Sequence, residues 1–298
     1  MDQQKWLKAH CSSLKHKNVV ITGATGDLGL EICRGVLTLE GNLILLCRSE
    51  EKMRRLTDTL LKEYPGANIQ KLQADLSDLP SADRACRTLK TMEPDILLHN
   101  AGIYAVPRRT CETGLDNIFQ VNFAIPYYMT RQLLPMLSRR MGQVLVMGSV
   151  AHRNAPTDPE DLDFSTRAEY PLVYGNSKRY LMFAIDALRK AWPDVRFGIA
   201  HPGITLTNIS AHHAPWVWAL IKGPMKLIFP SRQKAVRSVL YAMTQPIPQL
   251  HWAGPRYFDI WGDPRVKPLH TCPEQERRDI ADRSEALYRM LLDAANYQ

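Results

Sequence analysis

The feature that most constrains this chain is a β-branched run, Lys17 to Thr22 (KNVVIT), that passes directly into the turn TGATGDLG and then an apolar period through Leu28, Ile32, Val36 and Leu39. A buried strand, a tight turn and a helix in that order make the first half of a dinucleotide-binding βαβ unit. There, bare backbone and the helix N-terminus receive a pyrophosphate. Gly23, Gly26 and Gly29 are three apart, with Thr25, Asp27 and Leu28 among them. A glycine triad alone is as often an ordinary turn; the strand before it and the helix after it favour the cofactor reading.

The rest of the chain repeats the alternation. Asn42 to Cys47 is a continuous apolar run, as in a strand buried on both faces, and it closes at Arg48. At that place an acidic residue would bond a ribose 2′-hydroxyl, whereas an arginine pairs with a 2′-phosphate. No acid stands at 47 or 48, so NADP(H) is favoured over NAD(H); the competing reading is a surface arginine opening a helix over 50–63. Asn68 to Leu72 reads as a third strand leading to Ala74-Asp75-Leu76. Asp75 either accepts from an adenine amino group or caps the next turn, with Ser77 or Asp78 capping the helix that follows. Asp95 to His99 is a fourth strand. Behind it, Ala101 and Gly102 let backbone approach a flat ring, and Asn100 can stitch neighbouring strands. His99 reads as a packed strand-end residue rather than a catalyst.

Gln143–Met147 and Val195–His201 are fifth and sixth strands, and Arg256–Ile260 reads as a last one. About seven strands alternating with helices predict an α/β fold, a doubly wound parallel sheet in a single domain. Residues 17–203 would form the cofactor-binding and catalytic core. Residues 204–298 would add a substrate cap, the last strand and an amphipathic helix from Glu274 to Ala295.

Three stretches carry chemistry. In the helix expected from Thr113 to Met141, Asn122 lies among apolar neighbours and must be hydrogen-bonded if buried. Pro126, one turn on, removes a backbone donor; a functional kink and a satisfied structural asparagine are the two readings. Ser149 follows the fifth strand, at the edge where open α/β sheets bind ligands. After a polar insertion, Ala151 to Pro171, comes Tyr174-Gly-Asn-Ser-Lys178. A spacing of four puts phenol and ammonium on one helix face. An adjacent ammonium favours the phenolate, and bringing a phenol from about 10 to about 7 takes ~4 kcal/mol. The spacing alone is common in helices; the surrounding motifs give it weight.

Composition narrows the partners. The net charge of +8 comes from scattered basic residues, which fits a surface property or a phosphate-bearing cofactor and not nucleic acid. The six cysteines form no CxxC pair and no ligand cluster with histidine, so a reducing compartment and no metal are expected. No apolar run approaches membrane-spanning length, and the first sixteen residues lack a signal-peptide core. The expectation is a soluble, cytoplasmic protein with at most peripheral membrane contact. Ile209 to Phe229, holding Trp216, Trp218 and Met225, reads as a lid over an apolar substrate or as a surface against a membrane or partner subunit.

In order, TGATGDLG, Arg48, Asp75-Leu76, HNAG, Asn122, Ser149, YGNSK and HPG resemble the short-chain dehydrogenase/reductase family. FQVNF, LLPML, GSVAH, the long insertion before Tyr174 and RYF resemble its retinol-dehydrogenase-like branch. The resemblance covers roughly residues 17 to 260 and implies a Rossmann-type fold. It further implies Tyr174 as general acid/base and Ser149 bonded to the substrate oxygen. Lys178 would hold the nicotinamide ribose and depress the Tyr174 pKa, and Asn122 would hold a water relaying protons to Lys178. Cofactor contacts would come from the turn residues Gly23 to Gly29, Arg48, Asp75, Leu76, Asn100, Ala101, Gly102, Tyr174, Lys178, Pro202, Gly203 and Thr205. The implied activity is NADP(H)-dependent hydride transfer to or from a carbonyl or alcohol carbon of an apolar small molecule, in a homodimer or homotetramer.

Two departures matter. Gly26 falls one place early and Asp27 stands where the family's middle glycine would be, the spacing of the sugar-nucleotide branch; His99 replaces the first Asn of NNAG. A carboxylate at 27 repels pyrophosphate unless it turns away. The alternatives are therefore a sugar-nucleotide epimerase or reductase and a non-catalytic NADP(H)-binding sensor.

Overall fold

The computed structural model describes residues 2–203 and 230–297. Thr205 and the 209–229 segment expected to form a lid or membrane-facing surface lie outside the described residues. Eight strands form one sheet: β1 Asn18–Thr22, β2 Asn42–Cys47, β3 Ile69–Gln73, β4 Ile96–His99, β5 Gln143–Met147, β6 Arg196–Ala200, β7 His251–Tyr257 and β8 Trp261–Pro268, in the order β3-β2-β1-β4-β5-β6-β7-β8. Neighbours through β7 are parallel and β8 is antiparallel.

The first six strands lie on the runs that predict them. β1, β2, β4 and β5 are almost wholly buried because helices cover both faces, which is what continuous apolar runs require. The end of the sheet differs from expectation. The last parallel strand starts at His251, and Asp259 and Ile260, expected inside it, belong to the connection into β8. Phe258 and Asp259 turn the chain there with φ of 52° and 56°. β8 reads WGDPRVKP, a polar stretch with two prolines, which suits an edge strand and carries no apolar run to announce it.

The main helices are α1 Gln3–His10, α2 Asp27–Thr38, α3 Glu50–Glu63, α4 Leu79–Met92, α5 Ile125–Arg139, α6 Tyr170–Ala187, α7 Arg237–Thr244 and α8 Glu274–Asn296. α1, α2, α3 and α7 pack on one face of the sheet through Leu7, Ile32, Val36, Leu56, Val239 and Leu240. α4, α5, α6 and α8 cover the other through Leu89, Leu133, Phe183 and Leu287. The long helix expected over 113–141 is interrupted. It opens at Asn117–Phe119, where Asp116 accepts from the Ile118 N–H at 2.9 Å, widens into a π-turn at Gln120–Ala124, and continues as α5. Among the described residues no helix is long and apolar enough to cross a membrane.

β1 and β4 are neighbours, yet their connections run to opposite sides of the sheet. That reversal leaves a crevice above their C-terminal ends, the usual ligand position in such sheets.

Candidate active site

A groove of about 680 Å³ occupies that crevice. Its walls include Gly23, Thr25, Gly26, Asp27, Leu28, Gly29, Arg48, Asp75, Leu76, Asn100, Ala101 and Gly102, so twelve of the expected cofactor residues share one space. Gly23 has φ +64°, and a Cβ there would sit 2.8 Å from the Ala101 Cα. Only glycine lets the two backbones close in this way. Thr22 Oγ1 accepts from the N–H groups of Asn100 and Ala101, both at 3.0 Å, while Asn100 Nδ2 donates to the carbonyls of Thr22 and Gly23 at 3.0 and 3.1 Å. Asn100 thus stitches β1 to β4, as its place behind the fourth strand predicts.

Arg48 sits at one end of the groove, its side chain 77% exposed and 4.0 Å from Asp75 Oδ2. Asp75 Oδ1 accepts from the Ser77 N–H and hydroxyl, each at 2.8 Å. The turn-forming role and the groove position of Asp75 therefore coexist on its two oxygens. Asp78 takes the N-cap place of α4 without a side-chain bond. Two basic wall residues, Lys52 and Arg109, escaped the sequence reading. Lys52 was findable: it lies one helical turn after Arg48, in the first turn of α3 capped by Ser49.

Farther along its wall stand Gly102 and Ile103, next to Asn122 and Lys178 of the four expected catalytic residues. A Cβ on Gly102 would lie 3.4 Å from Asn122 Oδ1 and 3.5 Å from Lys178 Nζ. Asn122, in the π-turn, is fully buried; it accepts from the Ile103 N–H at 2.8 Å and donates to the Ile103 carbonyl at 2.9 Å and Ser177 Oγ at 3.1 Å. Both sequence readings of Asn122 meet here: the side chain is structurally satisfied, and its carbonyl loses its ordinary helical donor because the residue four on is Pro126. Lys178 Nζ donates to the Met147 carbonyl at 3.0 Å and lies 5.7 Å from the Tyr174 ring centre. Ser149 caps the turn after β5, accepting from the Ala151 N–H at 3.2 Å, and hydrogen-bonds Tyr174. What brings α6 this close is Gly175, where a Cβ would meet the Ala151 carbonyl at 2.5 Å.

The family model for short chain dehydrogenases matches residues 17–218, a span that holds both the groove and these four side chains.

The chain belongs to the short chain dehydrogenase family.

Human retinol dehydrogenase 13 is 26% identical over 91% of this chain and 83% of its own length. The human WW domain-containing oxidoreductase is 29% identical over 82% of this chain, and the matched region spans only 61% of that relative. These relatives agree with the retinol-dehydrogenase-like branch. A crystal structure of an uncharacterised protein from Mycobacterium paratuberculosis superposes with a TM-score of 0.74 at 26% identity, covering 97% of this chain and 96% of the other.

Within this family fold the two departures have physical answers. Asp27 is the first residue of α2, and its carboxylate lies 3.0 Å from the Arg232 guanidinium. Its charge is thereby matched. His99 is 1% exposed, with Nε2 2.8 Å from Thr130 Oγ1 and burial pushing its pKa down to about 3. It is a neutral packing residue, as expected.

The expected depression of the Tyr174 pKa is not what its surroundings produce. Tyr174 is half-buried, and the dense protein around it pushes the phenol up to about 12 against the lowering effect of its bond with Ser149. Tyr104, edge-on with ring centres 5.2 Å apart, adds to the rise. Lys178 is 3% exposed and desolvation brings it down to about 8. Spacing puts the ammonium on the correct face, but burial acts on both groups and disfavours the charged form of each.

Pro202 and Gly203 are not among the groove walls. They follow β6, where Gly203, at φ +84°, packs on Pro255. Among the described residues no three His, Cys, Asp or Glu side chains gather as a metal site.

Proposed function

We propose that this protein is an NADP(H)-dependent oxidoreductase acting on the carbonyl or alcohol group of an apolar small molecule. The observation that carries the proposal is the continuity at Gly102: a nucleotide-sized groove ends within van der Waals reach of Lys178 and Asn122. The groove suits the cofactor. Gly23 and Gly102 present bare backbone along its wall, and Arg48 with Lys52 supplies positive charge for a 2′-phosphate at the far end. When bound, the nicotinamide supplies the hydride.

The chain's own residues supply the proton and the orientation. As a carbonyl is reduced its oxygen gains negative charge; the Ser149 hydroxyl donates to that oxygen and Tyr174 gives it a proton. A phenol held near 12 is protonated at neutral pH, the state that carbonyl reduction needs of its proton donor. Lys178, beside both Tyr174 and Gly102, holds the cofactor ribose and offsets charge on the phenol as the proton leaves. Asn122 locks the Ile103 backbone and leaves its own carbonyl for a water that returns protons through Lys178. Ile103, Val106 and Val121 give apolar surface where the groove approaches these groups, in keeping with an apolar substrate. The Asp27–Arg232 pair and the packed, hydrogen-bonded His99 weigh against the sensor reading, which rested on those two departures.

The test is NADPH oxidation by the purified protein with a panel of aldehydes and ketones. Turnover that vanishes in Tyr174→Phe supports the assignment; turnover undiminished in that variant contradicts it.

A further inference from the structure

Ser149 and Tyr174 reach each other from separate segments, and the groups that fix their meeting lie behind Ser149. The turn Val150–Asn154 carries His152 at its centre, fully buried. His152 Nδ1 is 2.5 Å from the Ser149 carbonyl oxygen, and Nε2 is 2.6 Å from Thr271 Oγ1. A carbonyl can only accept, so Nδ1 bears the proton and Nε2 accepts from the threonine hydroxyl. The ring is wedged edge-on between Trp252 and Phe183, with centroids 5.6 and 6.0 Å away.

A second tie runs through Arg179, the residue after Lys178 on α6. Its guanidinium donates to the His152 carbonyl at 2.9 Å and to the Thr271 carbonyl at 2.8 Å. It also forks onto the two Glu276 oxygens at 2.7 and 2.5 Å. Four of the five N–H donors of this buried arginine are thereby used on the serine turn or on the segment entering α8. Such a fork transmits geometry, because moving either end breaks charge-assisted bonds in a buried place.

We propose that His152 is a positioning residue for Ser149: through Thr271 and the Arg179–Glu276 fork it ties the serine turn to the catalytic helix and to the start of α8. Deleting the ring leaves Ser149 capping its turn but frees the turn to move against Tyr174. A misplacement of about 1 Å in such a site costs on the order of 10²-fold in rate. The charged groups facing His152 are Arg153, Arg179 and Asp259, and burial holds the imidazole neutral, pushed down to about 4.

The catalytic consequence rests on the function proposed above; the positioning itself does not. The experiment compares His152→Leu, which removes both bonds, with His152→Asn, whose amide N–H replaces Nδ1, and with Thr271→Val, all as full-length protein. For His152→Leu the expected result is a kcat lower by roughly 10- to 100-fold with NADPH affinity within about twofold of wild type. His152→Asn should recover most of kcat, and Thr271→Val should fall between. Amide hydrogen exchange in residues 148–156 should accelerate in the leucine variant and stay near wild type in the asparagine variant.

Unchanged exchange and kcat in both His152→Leu and Thr271→Val overturns the proposal, as does an asparagine variant no better than leucine. If wild type shows no carbonyl-dependent NADPH oxidation but exchange follows the expected order, the reaction is refuted and the positioning of Ser149 stands.

Discussion

The Asp27 carboxylate and the Arg232 guanidinium stand 3.0 Å apart at the N-terminus of α2, so an acid in the place of the family's middle glycine is held against a cation from far along the chain. Removing the arginine alone exposes the cofactor phosphates to the carboxylate. Arg232→Gln should weaken NADPH binding by roughly fivefold, about 1 kcal/mol, for a pair that is partly solvated. Adding Asp27→Asn in the double variant should restore it. Fluorescence titration of wild type and the two variants reads this directly, and the difference should shrink in high salt.

Under the proposed function, Arg48 and Lys52 select NADPH over NADH. Arg48→Ala should raise the Kd for NADPH by about 10- to 100-fold, the scale of lost charge-assisted bonds, while changing the Kd for NADH by less than about twofold. Lys52→Ala should show the same selectivity with a smaller loss. An equal loss for both cofactors would remove these residues from 2′-phosphate recognition.

Which parts of this arrangement could be read from residues alone follows from how local their causes are. Gly23 declares its role because its φ of +64° and its approach to Ala101 exclude any side chain, and β1, β2, β4 and β5 declare theirs as unbroken apolar runs. Asn122 and Pro126 mark an irregularity in the helix expected over 113–141, since an amide amid apolar neighbours and a missing donor are both sequence facts, but its form as a π-turn comes from the fold. The Asp27–Arg232 pair could not be read, because no local pattern joins residues so distant in the chain. The sign of the Tyr174 shift was hidden for another reason: spacing locates Lys178, but only the packed fold says how much solvent each group loses. β8 was missed because two prolines and alternating charges in an edge strand look like a loop.

Tyr104 stands edge-on to Tyr174, ring centroids 5.2 Å apart at 71°. Such a pair is worth about 0.5–1.5 kcal/mol, which here goes into holding the acidic phenol in place. Tyr104→Ala should lower kcat by about 2- to 10-fold, whereas Tyr104→Phe keeps the ring and should keep kcat. Steady-state kinetics with one substrate separates the two.

His99, His152 and His201 are buried and neutral, pushed down to about 3, 4 and 4 by desolvation. A depressed histidine contributes stability that is complete above the unfolded value near 6.5 and is lost as pH falls toward its folded value. Each therefore removes ~1.4 kcal/mol per pH unit across that window. Urea midpoints should drop steadily from pH 6.5 to 4.5. His99→Gln, which can keep the contact with Thr130 and cannot titrate, should lie lower at pH 7 but fall less steeply.

Under the proposed function, hydride transfer in this site depends on a proton from Tyr174. NADPH deuterated at the transferable position of its nicotinamide, incubated with wild type and an accepted aldehyde or ketone, should yield an alcohol carrying deuterium on the former carbonyl carbon. Mass spectrometry should find no labelled product with Tyr174→Phe at NADPH concentrations that saturate the variant. Labelled alcohol formed at the wild-type rate by Tyr174→Phe, or no transfer by wild type to any carbonyl in a broad panel despite tight NADPH binding, would contradict the account.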